Sequence, residues 1–243
     1  MVEALFIGSL APLGPRQVAS GIDKKPVPGR RRITRVGLEG DRQGDTRHHG
    51  GPEKALHHYP AEHYAAWRQE GIDAAAPAFG ENITTSGLSE ADVCIGDVCR
   101  LGSALLQVSQ GRQPCWRLNA RFERPDMAVR VQKSGRTGWY YRVLEEGEAE
   151  AGDALTLCER PQPDWPLARI IGLLYMRTME LESLRKLGGL PELAQSWREL
   201  AERRIASPAG GRLEPPAARQ QRVTGDPKAI PVQQPERFSG ICS

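Results

Sequence analysis

The sequence has few cysteines, and they are scattered. Cys94, Cys99, Cys115, Cys158 and Cys242 are odd in number and form neither a CxxC pair nor a four-cysteine cluster. This spacing argues against a disulfide framework, and against zinc or iron–sulfur sites built from thiolates alone. Any electrons used in a reaction would therefore come from outside the chain.

Long apolar runs and internal repeats are also lacking. No apolar stretch approaches the length of a membrane-spanning helix, and residues 1–7 show no basic leader followed by a long apolar segment. We therefore expect no membrane partner and a cytoplasmic location. A chain of 243 residues can bury a full core, as one large domain or as a main domain with a small helical one.

Residues 1–160 are predicted to form a β-rich domain, because short β-type runs alternate with Gly, Pro and Asp. The runs are 4–7, 33–36, 92–95, 98–101, 104–108 and 139–144. Gly96-Asp97 is predicted to be a two-residue hairpin turn. One helix is predicted from Pro60 to Glu70, with Gly71 just past its end.

From residue 165 the apolar spacing becomes helical, and 165–206 is predicted to form three short helices. The first two helices carry Leu167, Ile170, Ile171 and Leu174, then Leu181, Leu184 and Leu187; the third opens at Pro191-Glu192 and carries Leu193, Trp197, Leu200 and Ala201. Their apolar faces need a partner surface, either the β domain or a second subunit. Residues 207–243 hold ten Pro or Gly, which predicts a disordered or loosely attached tail.

Positive charge is concentrated in two segments of a chain whose net charge is only +3. Residues 24–54 hold nine Lys or Arg against four Asp or Glu, and residues 108–142 hold eight against two. The basic side chains are not interleaved with aromatics, and the rest of the chain is acidic, so we do not expect nucleic-acid binding. The pattern suits an anionic ligand, a soft metal, or both.

All five histidines fall within sixteen residues, from His48 to His63. Two interpretations stay open: a glycine-rich loop whose histidines make structural hydrogen bonds, or a functional site. A zinc site is the weaker functional reading, because no carboxylate or cysteine completes a known spacing. The turn at 50–52 could expose backbone N–H groups beside Arg47 and Lys54, which would suit a small anion.

Cys115 differs from the other cysteines. Cys94, Cys99 and Cys158 lie in apolar strand-like runs and are predicted to be buried small hydrophobes. Cys115 follows Pro114, so its backbone is predicted to be extended, and its flanks are rich in arginine. A thiol in such surroundings is a candidate metal ligand or nucleophile.

Five short motifs occur in order along the chain: GLEGD at 37–41, HGGPEKA at 49–55, FGEN at 79–82, GD at 96–97 and QPC at 113–115. With these motifs the chain resembles the MOSC-domain family, specifically its bacterial YiiM-like branch. The likeness covers residues 1–160, and 165–205 resembles the three-helix extension of that branch. The resemblance implies an α+β protein: a closed, mostly antiparallel β-barrel-like MOSC domain followed by a small three-helix bundle.

The resemblance further implies a bound molybdenum cofactor, a molybdenum pyranopterin, with Cys115 as the metal ligand. It implies reduction of N-hydroxylated compounds, such as hydroxylamino purines, to amines. An external electron-donor protein carrying flavin or iron–sulfur clusters is then expected.

Side-chain chemistry suggests further roles in such a site. Proton donors would be Asp41, His49 and His57. Groups that hold the cofactor or orient ligand and loop would be Arg47, Gly50, Gly51, Lys54, Asn82, Arg112, Arg117 and Asn119. Two alternatives to the reductase are a sulfur carrier that uses a Cys115 persulfide and a carrier of the cofactor without turnover.

Overall fold

A computed structural model describes residues 1–45, 49–175 and 180–206. The strands in these ranges are β1 Val2–Gly8, β2 Ala11–Leu13, β3 Val18–Ser20, β4 Lys24–Pro26, β5 Arg31–Thr34, β6 Gly37–Leu38, β7 Leu56–Pro60, β8 Ile83–Thr85, β9 Val98–Leu101, β10 Ala104–Gly111, β11 Trp139–Glu145, β12 Gly147–Ala149 and β13 Leu155–Glu159. A 3-10 helix spans Pro52–Lys54, and the α-helices are α1 Glu62–Gln69, α2 Trp116–Arg121, α3 Met127–Ser134, α4 Leu167–Tyr175, α5 Leu181–Gly188 and α6 Gln195–Ala206.

The main sheet contains eight strands in the order β13-β9-β10-β11-β7-β8-β1-β4. Its pairs are antiparallel except β7 with β8, which run parallel. The order ends on β13 and β4, so within the described ranges no strand pair joins the two edges. The predicted β-rich α+β fold is confirmed, with the difference that the sheet is a curled half-barrel rather than a closed barrel.

Strand β10 shows why this sequence forms a sheet with one buried face. Ala104, Leu106 and Val108 are fully buried, whereas the intervening Leu105 and Gln107 are partly exposed. This alternation follows from the two-residue repeat of a strand. The buried side chains belong to a core that also includes side chains of the C-terminal helices.

The helices α2 and α3 were not predicted from the sequence. They lie in the arginine-rich segment, where the apolar spacing is short and Pro125 interrupts it. Met127 and Val131 nevertheless lie one turn apart and are buried with Trp67 of α1 in a second apolar cluster. Gly135, with φ of 74°, ends α3 in the left-handed conformation that glycine adopts without strain.

Three C-terminal helices are present as predicted, and their apolar faces pack on the sheet of the same chain. Leu167, Leu187 and Trp197 are fully buried in the same core as Leu106 and Val108 of β10. The third helix begins at Gln195, later than the predicted start at Pro191-Glu192. The predicted tail, 207–243, lies outside the described residues.

The C-terminal end of β10 is hydrogen-bonded to the region of the three C-terminal helices. The Ser109 carbonyl accepts a hydrogen bond from the Ala194 amide at 2.9 Å, and the Ser196 hydroxyl donates to Gln110 Oε1 at 2.7 Å. A Cβ atom added to Gly111 would lie 2.6 Å from the indole ring of Trp197. Glycine at 111 therefore lets this indole lie directly against the strand.

Gly111→Ala is expected to lower the free energy of unfolding by about 1–3 kcal/mol, because the new methyl group overlaps Trp197 in a packed core. Gly172→Ala is the matched control, since a Cβ at this α4 position meets no atom within 4 Å. The control should be neutral or stabilising by up to about 1 kcal/mol. Thermal unfolding of both variants measures the difference, and equal stabilities would contradict the packing argument.

Three local predictions need correction. Residues 92–95 form turns and a single bridge from Cys94 to Pro166 instead of a strand, so Gly96-Asp97 does not join two strands. Pro60 ends strand β7, and α1 begins at Glu62. Cys158 is exposed, whereas Cys94 and Cys99 are buried as predicted.

In the described ranges, no helix is long and apolar enough to cross a bilayer.

Candidate functional site

A cavity lies where the two basic segments of the sequence meet. The 24–54 segment contributes Lys24, Arg42, Asp45, His49 and Lys54, and the 108–142 segment contributes Arg112, Cys115, Arg117 and Tyr140. The sheet and α2 therefore bring together side chains that are far apart along the chain.

Cys115 lies in the wall of this cavity, immediately before α2. Its backbone is extended, with φ of −135° and ψ of 171°, as the preceding proline predicts. The thiol is 1% exposed, and its Sγ atom lies 3.6 Å from Nε2 of His49. The Sγ atom thus has a polar neighbour, His49, in a cavity whose lining is rich in cationic side chains.

Five cationic side chains line the cavity: Lys24, Arg42, Lys54, Arg112 and Arg117. Asp45 is the only carboxylate among the described lining residues, and it lies 3.6 Å from the Arg117 guanidinium. Positive charge therefore exceeds negative charge in a partly buried space, where electrostatic attraction is stronger than in water. The arrangement favours an anionic ligand.

Arg112 provides a hydrogen-bond donor to this space. The residue is 4% exposed, and its Nη1 atom is buried without a hydrogen-bond partner among the described residues. A buried guanidinium nitrogen without an acceptor costs free energy, which a bound acceptor would recover. This donor is therefore available to an oxygen acceptor, from a ligand or a water molecule, at this wall.

The two histidines of the cavity are neutral at physiological pH. Burial, followed by repulsion from Arg117, Arg112 and Lys54, lowers the pKa of His49 to about 3. Burial, with Arg112 and Lys24 nearby, lowers the pKa of His57 well below its usual value. A neutral imidazole carries one N–H group, so near pH 7 each ring can donate only that proton. The proton-donor role of His49 and His57 stays a prediction.

Asp41 lies behind the cavity lining and holds it together. Its carboxylate pairs with Lys24 at 2.5 Å and accepts hydrogen bonds from the Gly8 amide at 2.7 Å and from Asn82 Nδ2 at 2.9 Å. Asn82 Oδ1 also accepts from the His57 backbone amide at 3.1 Å. Asp41 and Asn82 therefore position Lys24 and His57, and the carboxylate is already engaged by four donors, the fourth being Gln43 Nε2 at 3.2 Å.

Comparisons with known proteins agree with this architecture. Residues 45–156 match the MOSC domain, and residues 165–207 match the YiiM-like, 3-alpha helix domain. Protein YiiM of Escherichia coli (strain K12) is 39% identical over 197 residues, which cover 79% of this chain and 88% of that protein. The chain belongs to the YiiM family of MOSC-domain proteins.

Two further matches extend the comparison of this YiiM-family chain. The crystal structure of YiiM from Geobacillus stearothermophilus is 35% identical and superimposes with a TM-score of 0.72, covering 84% of this chain and 97% of that one. A protein of Gibberella moniliformis (strain M3125 / FGSC 7600) named "Reductase" is 35% identical over 196 residues, 79% of this chain and 35% of that protein. The family predicted from the five motifs is thus confirmed.

Some predicted site residues lie elsewhere in the YiiM-family fold. Asn119 is outside the cavity, where its amide donates to the Pro125 carbonyl at 2.7 Å and accepts from the Ala128 amide at 2.8 Å. Gly50 and Gly51 do not line the cavity but precede the 3-10 helix that places Lys54 in it. Arg47 lies outside the described residues.

The histidine cluster of this YiiM-family protein divides into cavity-lining residues and residues with structural contacts, and a functional role of the first group stays a prediction. His49 and His57 line the cavity. His58 is fully buried and bonds to Tyr141 and Thr85, and His63 pairs with Glu90 at 2.8 Å. The alternation along β7 separates His57 from His58, because adjacent strand residues face opposite sides.

Lys24, Tyr140 and Glu81 were missed as site residues. Lys24 was one basic residue among nine in its segment, and its buried pairing with Asp41 depends on tertiary contact. Tyr140 lay in a run predicted only to be a strand. Glu81 was seen as part of the FGEN motif, but nothing local indicated that its carboxyl is fully buried.

Proposed function

We propose that this protein binds the molybdenum cofactor in the Cys115 cavity and reduces N-hydroxylated compounds, hydroxylamino purines among them, to the corresponding amines. The observation that carries the proposal is a buried thiol in the wall of a cavity lined by five cations. Thiolate is the soft ligand that such a metal prefers, and guanidinium groups suit a phosphate. The YiiM-family membership and the relative named "Reductase" support redox chemistry.

The residues present fit that cofactor. Among the described residues, no group of three or more His, Cys, Asp or Glu side chains could hold a metal ion, so a metal beside Cys115 would take its other ligands from a cofactor. The unpartnered Nη1 of Arg112 offers a donor for a phosphate oxygen. Cys115 would bind the metal, while Arg112, Arg117 and Lys54 would hold the anionic part.

When bound, the cofactor would supply two-electron oxygen-transfer chemistry, with R–NH–OH, two electrons and two protons giving R–NH₂ and water. The chain's own part is to position these groups. The His49 ring lies 3.6 Å from Cys115 Sγ and can orient the thiol, but its pKa of about 3 makes it a poor acceptor for the proton that the thiol loses when it becomes a ligand. The Asp41–Lys24 pair and Asn82 hold the wall that carries His57. An external flavin or iron–sulfur protein would supply the electrons.

The test is an activity assay on protein purified from a host that makes the cofactor. Loss of a hydroxylamino purine is followed with an artificial electron donor, with metal and pterin measured in the same sample. We expect about one molybdenum per chain and substrate loss well above that of the donor alone. Equal rates with and without protein would reject the reductase.

The other outcomes separate the rival functions. Pterin bound without reduction of any hydroxylamine, whatever the donor, would indicate a cofactor carrier. Cyanide-labile sulfur on Cys115 with little reductase activity would indicate sulfur transfer.

A further inference from the structure

Glu81 lies directly behind the cavity wall. Its chain neighbours Gly80 and Asn82 both line the cavity, whereas the Glu81 side chain is fully buried. The reaction as described gives this carboxyl no role. A buried acid this close to an anion site is in a position to respond to what binds there.

The carboxyl group of Glu81 is unevenly supported. Oε1 accepts a hydrogen bond from the Tyr64 hydroxyl and a longer one, 3.4 Å, from Thr84 Oγ1. Oε2 is buried and has no partner among the described residues. Since an ionised carboxylate needs several donors when it is removed from water, this environment penalises the charged form.

Several groups shift the pKa of the Glu81 carboxyl in opposite directions. Burial raises this pKa to about 7. Hydrogen bonds from Tyr64 and from the backbone N–H of Glu81, together with the positive charges of Arg112 and Lys24, lower it and so limit the rise. The Tyr59 hydroxyl on β7 is a further titratable neighbour, and burial raises the pKa of this phenol, which stays neutral. The two cations that favour the ionised form, Arg112 and Lys24, also line the cavity.

We propose that Glu81 is the proton-exchange group of the cavity: it takes up a proton when an anion binds beside Arg112 and Lys24, and releases that proton when the anion leaves. The inference rests on the anion-binding role proposed above. The bound negative charge offsets the attraction of the two cations for the carboxylate, which favours the neutral acid. Because coupling is reciprocal, anions bind more tightly when Glu81 is protonated, and affinity falls as the pH rises through neutrality.

Sulfate is the suitable probe, because its charge is constant near neutral pH, whereas phosphate itself titrates there. Calorimetry on the cofactor-free protein, in buffers of different ionisation enthalpy, gives both the affinity and the number of protons taken up. We expect wild-type affinity to fall about three- to tenfold from pH 6 to pH 8, since coupling of up to one pKa unit corresponds to tenfold. Proton uptake should be greatest near pH 7.

Glu81→Gln keeps the size of the side chain and its acceptor for Tyr64, but cannot titrate. From pH 6 to pH 8, the sulfate affinity of this variant should stay close to the affinity that the wild type has at pH 6. The proton uptake near pH 7 should be lost. Tyr64→Phe removes a hydrogen-bond donor that favours the ionised form of Glu81. The midpoint of the pH dependence of sulfate affinity should therefore move to higher pH. Glu90→Gln is the matched control, because Glu90 is also buried and its carboxylate contacts His63 and the Gly138 amide, which do not line this cavity.

Infrared spectroscopy observes the group itself. The carbonyl band of a protonated carboxylic acid should be present at pH 6, absent in Glu81→Gln, and shifted to a higher midpoint by sulfate. The proposal is overturned if sulfate does not bind, if Glu81→Gln keeps the wild-type proton uptake, or if sulfate leaves the midpoint unmoved. Cys115→Ser should retain the coupling, so loss of molybdenum in that variant tests the proposed function separately.

Discussion

Replacing Cys115 with serine is expected to reduce the molybdenum content from about one per chain to less than about a tenth of that. Serine is similar in size but offers a hard oxygen instead of a soft thiolate. Even the outer-shell partners of metal ligands typically contribute about 10–100-fold in affinity, so removing the proposed protein ligand should cost at least as much. Metal analysis and pterin fluorescence of protein from a cofactor-producing host measure both components.

Cys99→Ser is the matched control, since Cys99 is also buried but lies on β9 outside the cavity. This variant should keep its metal, with a modest loss of stability as its only effect. Unchanged molybdenum in Cys115→Ser would reject the assignment of this thiol as the ligand. Loss of metal in both variants would indicate a general folding defect rather than a lost ligand.

Arg112→Met is expected to weaken cofactor retention about 10–100-fold while making the cofactor-free protein more stable. The affinity loss follows from removing a charge-assisted donor, whose hydrogen bonds contribute about 1.5–3 kcal/mol. The gain in stability follows because a buried guanidinium with an unpartnered nitrogen is replaced by an apolar chain of similar length. Pterin retention during dialysis and chemical denaturation of the cofactor-free form check the two effects.

Two comparisons sharpen this prediction. Arg112→Lys keeps the charge but loses the planar fork, and should retain the cofactor to an intermediate degree. Arg204→Met changes another buried arginine, whose Nε donates to the Leu173 carbonyl in the helical unit, and should leave retention unaltered. If Arg112→Met holds the pterin as tightly as wild type, Arg112 is not part of the cofactor site.

The position of Cys115 in the cavity wall could be anticipated because its signals are local, while its role as a metal ligand stays a prediction. A preceding proline fixes an extended backbone, and the charge of the surrounding segment can be counted directly. The same holds for the C-terminal helices, whose apolar spacing is regular and whose buried faces match it. In contrast, the helices α2 and α3 are short, and their buried positions are interspersed with arginines.

The rest of the site depends on contacts between distant residues. Lys24 becomes a cavity residue because Asp41 pairs with it, and His57 is separated from His58 by the register of β7. Glu81 sits in a recognised motif, but the absence of a partner for its Oε2 among the described residues is visible only in three dimensions. Asn119, predicted to orient ligand or loop, lies outside the cavity, where its side chain joins α2 to α3.

The attachment of Trp197 to Gly111 limits how this protein can be divided or recombined. Strand β10 continues directly into Arg112 and then Cys115, so the indole supports the backbone that leads into the binding wall. A shortened chain that ends before α4 would expose the apolar surface on which the three helices pack, next to that wall. A shortened protein that is to keep the Cys115 cavity must therefore keep these helices. A chimera that exchanges them must place opposite Gly111 a side chain that fits against a strand residue without a Cβ atom.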